Sequence, residues 1–266
     1  MPSKRDPILV ADRVHRHFAG VTAVDVDHVE MPRGKITALI GPNGAGKTTF
    51  FNLLTGFDKP QTGAWSFEGK PIAGLAPWQV ARRGMVRTFQ LTKVLGRLTV
   101  LENMLLGSKN QRGERLLPFF WRKQERSDSA RALEILERFK LGAKAHDYAA
   151  SLSGGQRKLL EMARAIMNEP SLVMLDEPMA GVNPALTQSL LHHIKDLKNQ
   201  GMTVLFVEHD MHMVRYVADW VIVMAEGRII AEGVPGEVLS STAVVDAYLG
   251  AHHDTDLREL VREMEA

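Results

Sequence analysis

The run Gly41, Pro42, Asn43, Gly44, Ala45, Gly46, Lys47, Thr48, Thr49 satisfies the pattern G-x-x-x-x-G-K-[ST]. Its residue types suit one task, holding a chain of phosphates. The glycines let the backbone curl so that successive N–H groups and a helix N-terminus face an anion. Lys47 would meet the β- and γ-phosphates of a nucleotide, and the Thr48 hydroxyl would ligate Mg2+. A second set stands in Leu-Val-Met-Leu-Asp-Glu at 172–177. This is an apolar strand that delivers two carboxylates at its C-terminal end, the edge where ligands bind in parallel α/β sheets. Asp176 would hold Mg2+ through a water. Glu177, turned elsewhere because strand side chains alternate, would polarise an attacking water.

A third set is Leu-Ser-Gly-Gly-Gln at 152–156, ahead of a helix whose Leu159, Leu160, Ala163, Ile166 and Met167 form one apolar stripe. Ser153 is placed as the N-cap, and Gly154 and Gly155 leave backbone N–H groups bare at the positive end of the helix dipole. The chain has a single phosphate loop, so this second anion-binding tip serves a nucleotide held by another copy. That inference implies a dimer.

Elements must place these groups together. Residues 8–18 and 22–31 read as strands, with Val24 and Val26 alternating with polar neighbours. Ile36 to Ile40 form a short apolar strand, and the segment after the glycine loop is helical and closed by Gly56. Residues 60–75, rich in Gly and Pro, predict an antiparallel hairpin returning to the N-terminal strands. Between 91 and 150 the character is helical, with Ala132, Ile135, Leu136 and Phe139 on one face. Helix and strand then alternate: a helix over 156–168, a strand over 171–175, a helix over 184–200 and a strand over 203–208. An antiparallel pair spans 221–233. Alternation of this kind argues a parallel α/β sheet.

Composition excludes several classes. With 33 Lys+Arg against 31 Asp+Glu the net charge is +2, which argues against a nucleic-acid partner. The chain has 0 Cys, which rules out disulfides, Cys-bound metal and a cysteine nucleophile. No apolar run is long enough to cross a bilayer, and the N-terminus is no secretory signal, so a cytoplasmic address is expected.

The phosphate loop, Gln90 in Arg-Thr-Phe-Gln, Leu-Ser-Gly-Gly-Gln, Leu-Val-Met-Leu-Asp-Glu and His209 in Val-Glu-His-Asp occur in this order. In order and spacing the chain resembles the ATP-binding subunits of ABC transporters, over nearly its whole length. The resemblance implies an α/β P-loop NTPase fold. It implies a nucleotide-binding core at 1–90 and 151–250 with an N-terminal antiparallel β subdomain, and an inserted helical subdomain at 91–150. It further implies that ATP and Mg2+ are bound, that ATP hydrolysis is coupled to transport, and that the chain sits on the inner face of the membrane through integral-membrane permease subunits. The pair of cassettes would be a homodimer or a heterodimer with a paralogue. By the same resemblance Phe18 takes the position of the aromatic that stacks on adenine, where the family more often has Tyr. Gln90 reaches Mg2+ and the attacking water, and Glu177 is the catalytic base. His209 contacts the γ-phosphate, and Ser153, Gly154, Gly155 and Gln156 close over the ATP of the opposite subunit.

The segment Ala-Gly-Val-Asn-Pro at 180–184, Leu-Thr-Val-Leu-Glu-Asn and the Ala-Tyr-Leu-Gly ending resemble the branched-chain amino-acid uptake subgroup, in its longer cassette. Urea or amide uptake and lipopolysaccharide-export cassettes share much of this pattern. Soluble ABC ATPases acting on DNA or ribosomes usually carry a long coiled coil or two cassettes in one chain, and this sequence has neither. Phe119, Phe120 and Trp121 either fill a small helical core or receive a permease helix. A short amphipathic helix is expected over 251–266, with Leu257, Leu260, Val261 and Met264 on one face.

Overall fold

Strands covered on both faces read as continuous apolar runs, and three segments of this chain do so. In the computed structural model, which describes residues 6–88, 94–108 and 118–251 (backbone only over 118–125 and 249–251), these become the centre of a sheet. From the N-terminus, β1 (Pro7–Phe18), β2 (Val21–Pro32) and β3 (Ile36–Ile40) lead to helix α1 (Lys47–Leu54). Then come β4 (Thr62–Phe67), β5 (Lys70–Pro71), helix α2 (Pro77–Arg82) and β6 (Met85–Arg87). Helices α3 (Val100–Leu105), α4 (Pro118–Arg138) and α5 (Gly154–Ile166) precede β7 (Leu172–Asp176). After α6 (Pro184–Asn199), β8 (Thr203–Val207) and α7 (Met211–Val217) come β9 (Trp220–Ala225) and β10 (Arg228–Gly233). Helices α8 (Pro235–Val238) and α9 (Thr242–Ala251) close the described chain.

The larger sheet runs β10-β9-β3-β8-β7-β6, parallel throughout except for the β10–β9 pair. The smaller sheet, β2-β1-β4-β5, is antiparallel, and β4 returns to β1 as expected of the segment 60–75. Every residue of β3, β7 and β8 is buried. Their side chains alternate between two cores. Ile36, Ala38, Ile40, Val173, Leu175, Val204 and Phe206 meet the helices α3 to α6 on one side. Leu39, Leu172, Met174, Leu205 and Val207 meet α1 and the antiparallel sheet on the other. Ala132, Ile135, Leu136 and Phe139 of α4 are all buried in the first core, along the stripe that their spacing predicts.

This order has one consequence for chemistry. Because β3, β8, β7 and β6 are parallel neighbours, the residues that follow them emerge at one sheet edge: the glycine loop, Glu208 and His209, Asp176 and Glu177, and Arg87 at the end of β6. Strand β6 and helix α2 lie where the sequence reading assigns no element. Met85 and Val86 are too short a run to register as a strand without the β7 ladder beside them. The expected tail helix at 251–266 falls, but for Ala251, outside the described residues.

Candidate functional site

The glycine loop is shaped by contacts no side chain would survive. A Cβ on Gly41 would lie 2.0 Å from the Met224 carbonyl oxygen, and one on Gly46 would lie 2.1 Å from that of Ala23. Gly46 also has φ +96°, in the left-handed region. It is the N-cap of α1 and offers no side-chain hydrogen bond, so the first N–H groups of the helix have no side-chain cap. Lys47 is nearly buried, and its Nζ donates to the carbonyls of Gly41 at 2.6 Å and Pro42 at 2.9 Å. An ammonium has three donors, so one remains to reach a phosphate. Burial pulls the Lys47 pKa below its usual range, and the charges of Glu177 and Asp176 oppose that. Gly44 and Asn43 lie exposed at the crest of the loop, Thr48 is exposed beside it, and Pro42 and Ala45 are buried under it.

Asp176 ends β7 and is buried. Its Oδ2 accepts from Arg87 Nη2 at 2.7 Å, and both side chains are 6% exposed. Arg87 also donates to Asn52 Oδ1 of α1 at 2.7 Å. The sequence reading passes over this arginine, three residues before Gln90, because its role appears only when β6 lies beside β7. Glu177 follows in the left-handed region at φ +45°, which costs a non-glycine residue roughly 1–3 kcal/mol. Its N–H bonds the Val207 carbonyl at 3.1 Å, which extends the β7–β8 ladder by one step. Gln90 lies outside the described residues.

Two further titratable residues sit behind Glu177, and neither is among the sequence candidates. Glu208 is 1% exposed, accepts from the Met179 N–H at 3.0 Å, and has its carboxyl pushed above the usual range by burial. Lys158 of α5 donates to the carbonyls of Pro178 at 3.2 Å and of Ala180. His209 is largely exposed at the end of β8, with Nδ1 3.8 Å from Glu208 Oε2.

The N-terminus of α5 is capped as its sequence predicts. Ser153 Oγ accepts from the Gln156 N–H at 3.3 Å, and Gln156 Oε1 accepts from the Ser153 N–H at 3.0 Å, a reciprocal capping box. The helix begins at Gly154, two residues earlier than its apolar stripe alone indicates. The two glycines differ. A Cβ on Gly154 would meet nothing within 4 Å, whereas one on Gly155 would strike Leu186 Cδ2 of α6 at 1.7 Å. Asn183 caps α6: its Oδ1 accepts from the Leu186 N–H at 2.9 Å. Phe18, at the end of β1, is 45% exposed. The Arg16 guanidinium lies 4.2 Å from its ring centroid and is held there by Asp58 at 2.9 and 3.0 Å.

One edge thus gathers a phosphate-shaped loop, a lysine, and carboxylates in distinct environments, which is an arrangement for nucleotide chemistry. Comparison with known proteins agrees. The family model described as ABC transporter matches residues 24–180, and one described as branched-chain amino acid ATP-binding cassette transporter matches 228–254. A probable branched-chain amino acid transport ATP-binding protein of Archaeoglobus fulgidus is 42% identical over 92% of this chain and 96% of its own. The high-affinity branched-chain amino acid transport ATP-binding protein of Escherichia coli K12 is 39% identical over 92% and 98%. A nucleotide-free ATP-binding cassette from an ABC transporter, solved as a crystal structure, superposes with a TM-score of 0.80 at 38% identity, covering 91% of this chain and 98% of that one. The ADP conformation of such a cassette gives 0.81 at 36%, covering 92% and 100%. With the phosphate loop, Asp176, Glu177 and His209 at one sheet edge and relatives matching nearly end to end, the chain belongs to the ABC transporter ATP-binding family, whose members are the ATPase subunits of those transporters.

Proposed function

We propose that this chain powers uptake of branched-chain amino acids, acting from the inner face of the membrane as one half of a dimer of cassettes. The observation that carries the site assignment is the shared edge of β3, β8 and β7, which brings Lys47, Asp176, Glu177 and His209 to one place. The names of the relatives, at about 40% identity over nearly full length, support the substrate class. No described helix is long and apolar enough to cross a membrane; membership of the transporter family supports separate permease subunits as the pore.

Residues 41–49 cradle the phosphates of ATP, with the third Lys47 donor and the α1 N–H groups on the β- and γ-oxygens. Phe18 offers the ring face opposite Arg16 to adenine. Thr48 and Asp176, with Gln90, are the residues that would hold Mg2+. That few-ligand oxygen set suits an ion that keeps several waters, and the Arg87 ion pair takes only one named oxygen of Asp176. Mg2+, when bound, neutralises charge on the phosphates. Glu177 accepts a proton from the water whose oxygen bonds to the γ-phosphorus as the bond to the β–γ bridging oxygen breaks. ADP leaves with the electron pair. His209 donates to a γ-phosphate oxygen. Ser153, Gly154, Gly155 and Gln156 close on the nucleotide of the partner subunit.

The permease contact falls in the groove of about 610 Å³ lined by Trp78, Arg82, Leu106 and Arg164, which opens beside Arg87 and Thr88. Trp78 is 58% exposed there. Leu106, Gly107 and Ser108, which follow α3, supply the part of this lining that comes from the expected helical insert.

The test is Glu177→Gln. The variant binds ATP, accumulates as a closed dimer on size exclusion with Mg·ATP, and hydrolyses about a thousandfold more slowly. Near-normal turnover would remove Glu177 from the base role. The substrate class is tested by reconstitution with the neighbouring permease and uptake of labelled leucine, which must depend on ATP.

A further inference from the structure

The segment after Glu177 is buried and short of main-chain partners. The Glu177 carbonyl accepts from the Ala180 N–H at 3.1 Å, and the Met179 carbonyl from the Val182 N–H at 3.2 Å. Pro178 has no N–H to give. The remaining groups, the carbonyls of Pro178 and Ala180 and the N–H of Met179, are satisfied by two side chains from other elements. Lys158 of α5 takes both carbonyls, and Glu208 beyond β8 takes the N–H. Buried backbone groups demand partners, so removing either side chain leaves this turn unsatisfied.

We propose that Lys158 and Glu208 are positioning residues for the Glu177 carboxylate, together holding residues 178–180 and fastening them to α5. The inference rests on reading Glu177 as the base. Three observations carry it. Glu177 sits at φ +45°, a conformation that persists only where surrounding bonds over-determine it. Lys158 faces Glu208, Glu161 and Glu177, while burial lowers its pKa. Glu208 also accepts from the His209 N–H at 3.4 Å, so one carboxylate touches both the segment behind the base and the residue beside the γ-phosphate position. Lys158 lies five residues after Ser153 on the helix that begins at the Ser-Gly-Gly-Gln tip. Movement of that tip as a partner closes on it therefore pulls directly on the backbone that aims Glu177.

The experiment uses the full chain with Mg·ATP. Lys158→Met keeps the bulk of the stem and removes both bonds. Its kcat falls roughly 30-fold while the Kd of a fluorescent ATP analogue stays within about twofold, because misplacing a reacting group costs rate rather than binding. Lys158→Arg restores most of the rate, and Glu208→Gln shows the same split at smaller amplitude. In the Glu177→Gln background, Lys158→Met causes no further loss, since the group it aims is gone. A kcat within threefold of the parent, an equal loss of ATP affinity, or a full additional loss in the double variant overturns the proposal. Should Lys158→Met fail to fold, Lys158→Gln, which still reaches one carbonyl, decides by the same criteria. A dead Glu177→Gln beside a normal Lys158→Met sinks the positioning role alone. A normal Glu177→Gln sinks the base assignment, and this inference with it.

Discussion

The glycine loop and the tip of α5 are both helix N-termini with glycine at or just before the first turn, yet one is packed against backbone from other elements and the other faces outward. At the loop, Gly41 and Gly46 press against the carbonyls of Met224 and Ala23, and Lys47 is held by two backbone oxygens. At the tip, Ser153 and Gly154 are exposed and a Cβ on Gly154 would meet empty space. The loop's shape is fixed by contacts within the chain. The tip lies open to solvent, where the second cassette of the proposed dimer would meet it. Glycine does different work in the two places: close approach to backbone in the first, and an open face on Gly154 beside packing on Gly155 in the second.

The contrast can be broken most forcefully at Gly46. Gly46→Ala sets a methyl against a backbone carbonyl at a left-handed position. It should cost about 3 kcal/mol or more in urea unfolding and abolish ATP binding. Tolerance of this change would mean that the loop is as open as the tip. The next largest effect separates the two signature glycines. Gly154→Ala should leave stability within about 0.5 kcal/mol but lower ATPase activity roughly tenfold by spacing the partner's nucleotide away. Gly155→Ala should cost about 1 kcal/mol, because only the end of the Leu186 side chain must move. Equal effects in melting and turnover assays would erase the distinction.

The smallest effect lies away from both regions, where buried His193 of α6 stacks on Phe139 at 4.2 Å, beside the end of α4. Its Nε2 finds no hydrogen-bond partner among the described residues. Burial holds its pKa below the ordinary 6.5, helped by His192, Lys140 and Arg138 and opposed by Asp196. The unfolded chain thus binds the proton more readily. Its contribution to stability is complete above about pH 6.5 and is lost as pH falls from there toward the lower folded value. His193→Phe should flatten that acid-side fall of Tm by a few degrees and leave the loop's ATP affinity unchanged. An unchanged pH profile would detach His193 from it.

Much of this was legible in one dimension. The strands β3, β7 and β8 announce themselves as short apolar runs because they are covered on both faces, and the capping box at Ser153 and Gln156 is local by construction. The buried stripe of α4 follows from its 3.6-residue period. Arg87, Lys158 and Glu208 were not legible, although each stands in or beside a motif, because their partners lie far away along the chain. Arg87 matters because β6 docks beside β7, and Lys158 because α5 crosses the turn at 178–180.

By itself, the sequence determined the chemistry on offer: a phosphate cradle, a lysine, a strand that ends in two carboxylates, and a second helix tip. These are set by residue type and short spacing, which local geometry converts directly into structure. Only the tertiary structure decided which charges meet. It paired Asp176 with Arg87, set Glu177 in a left-handed turn, and bonded Lys158 and Glu208 to the backbone that follows it. Parallel strand order fixes those pairings. The partners lie far apart along the chain, and burial away from water makes each unmet polar group costly enough to select one arrangement.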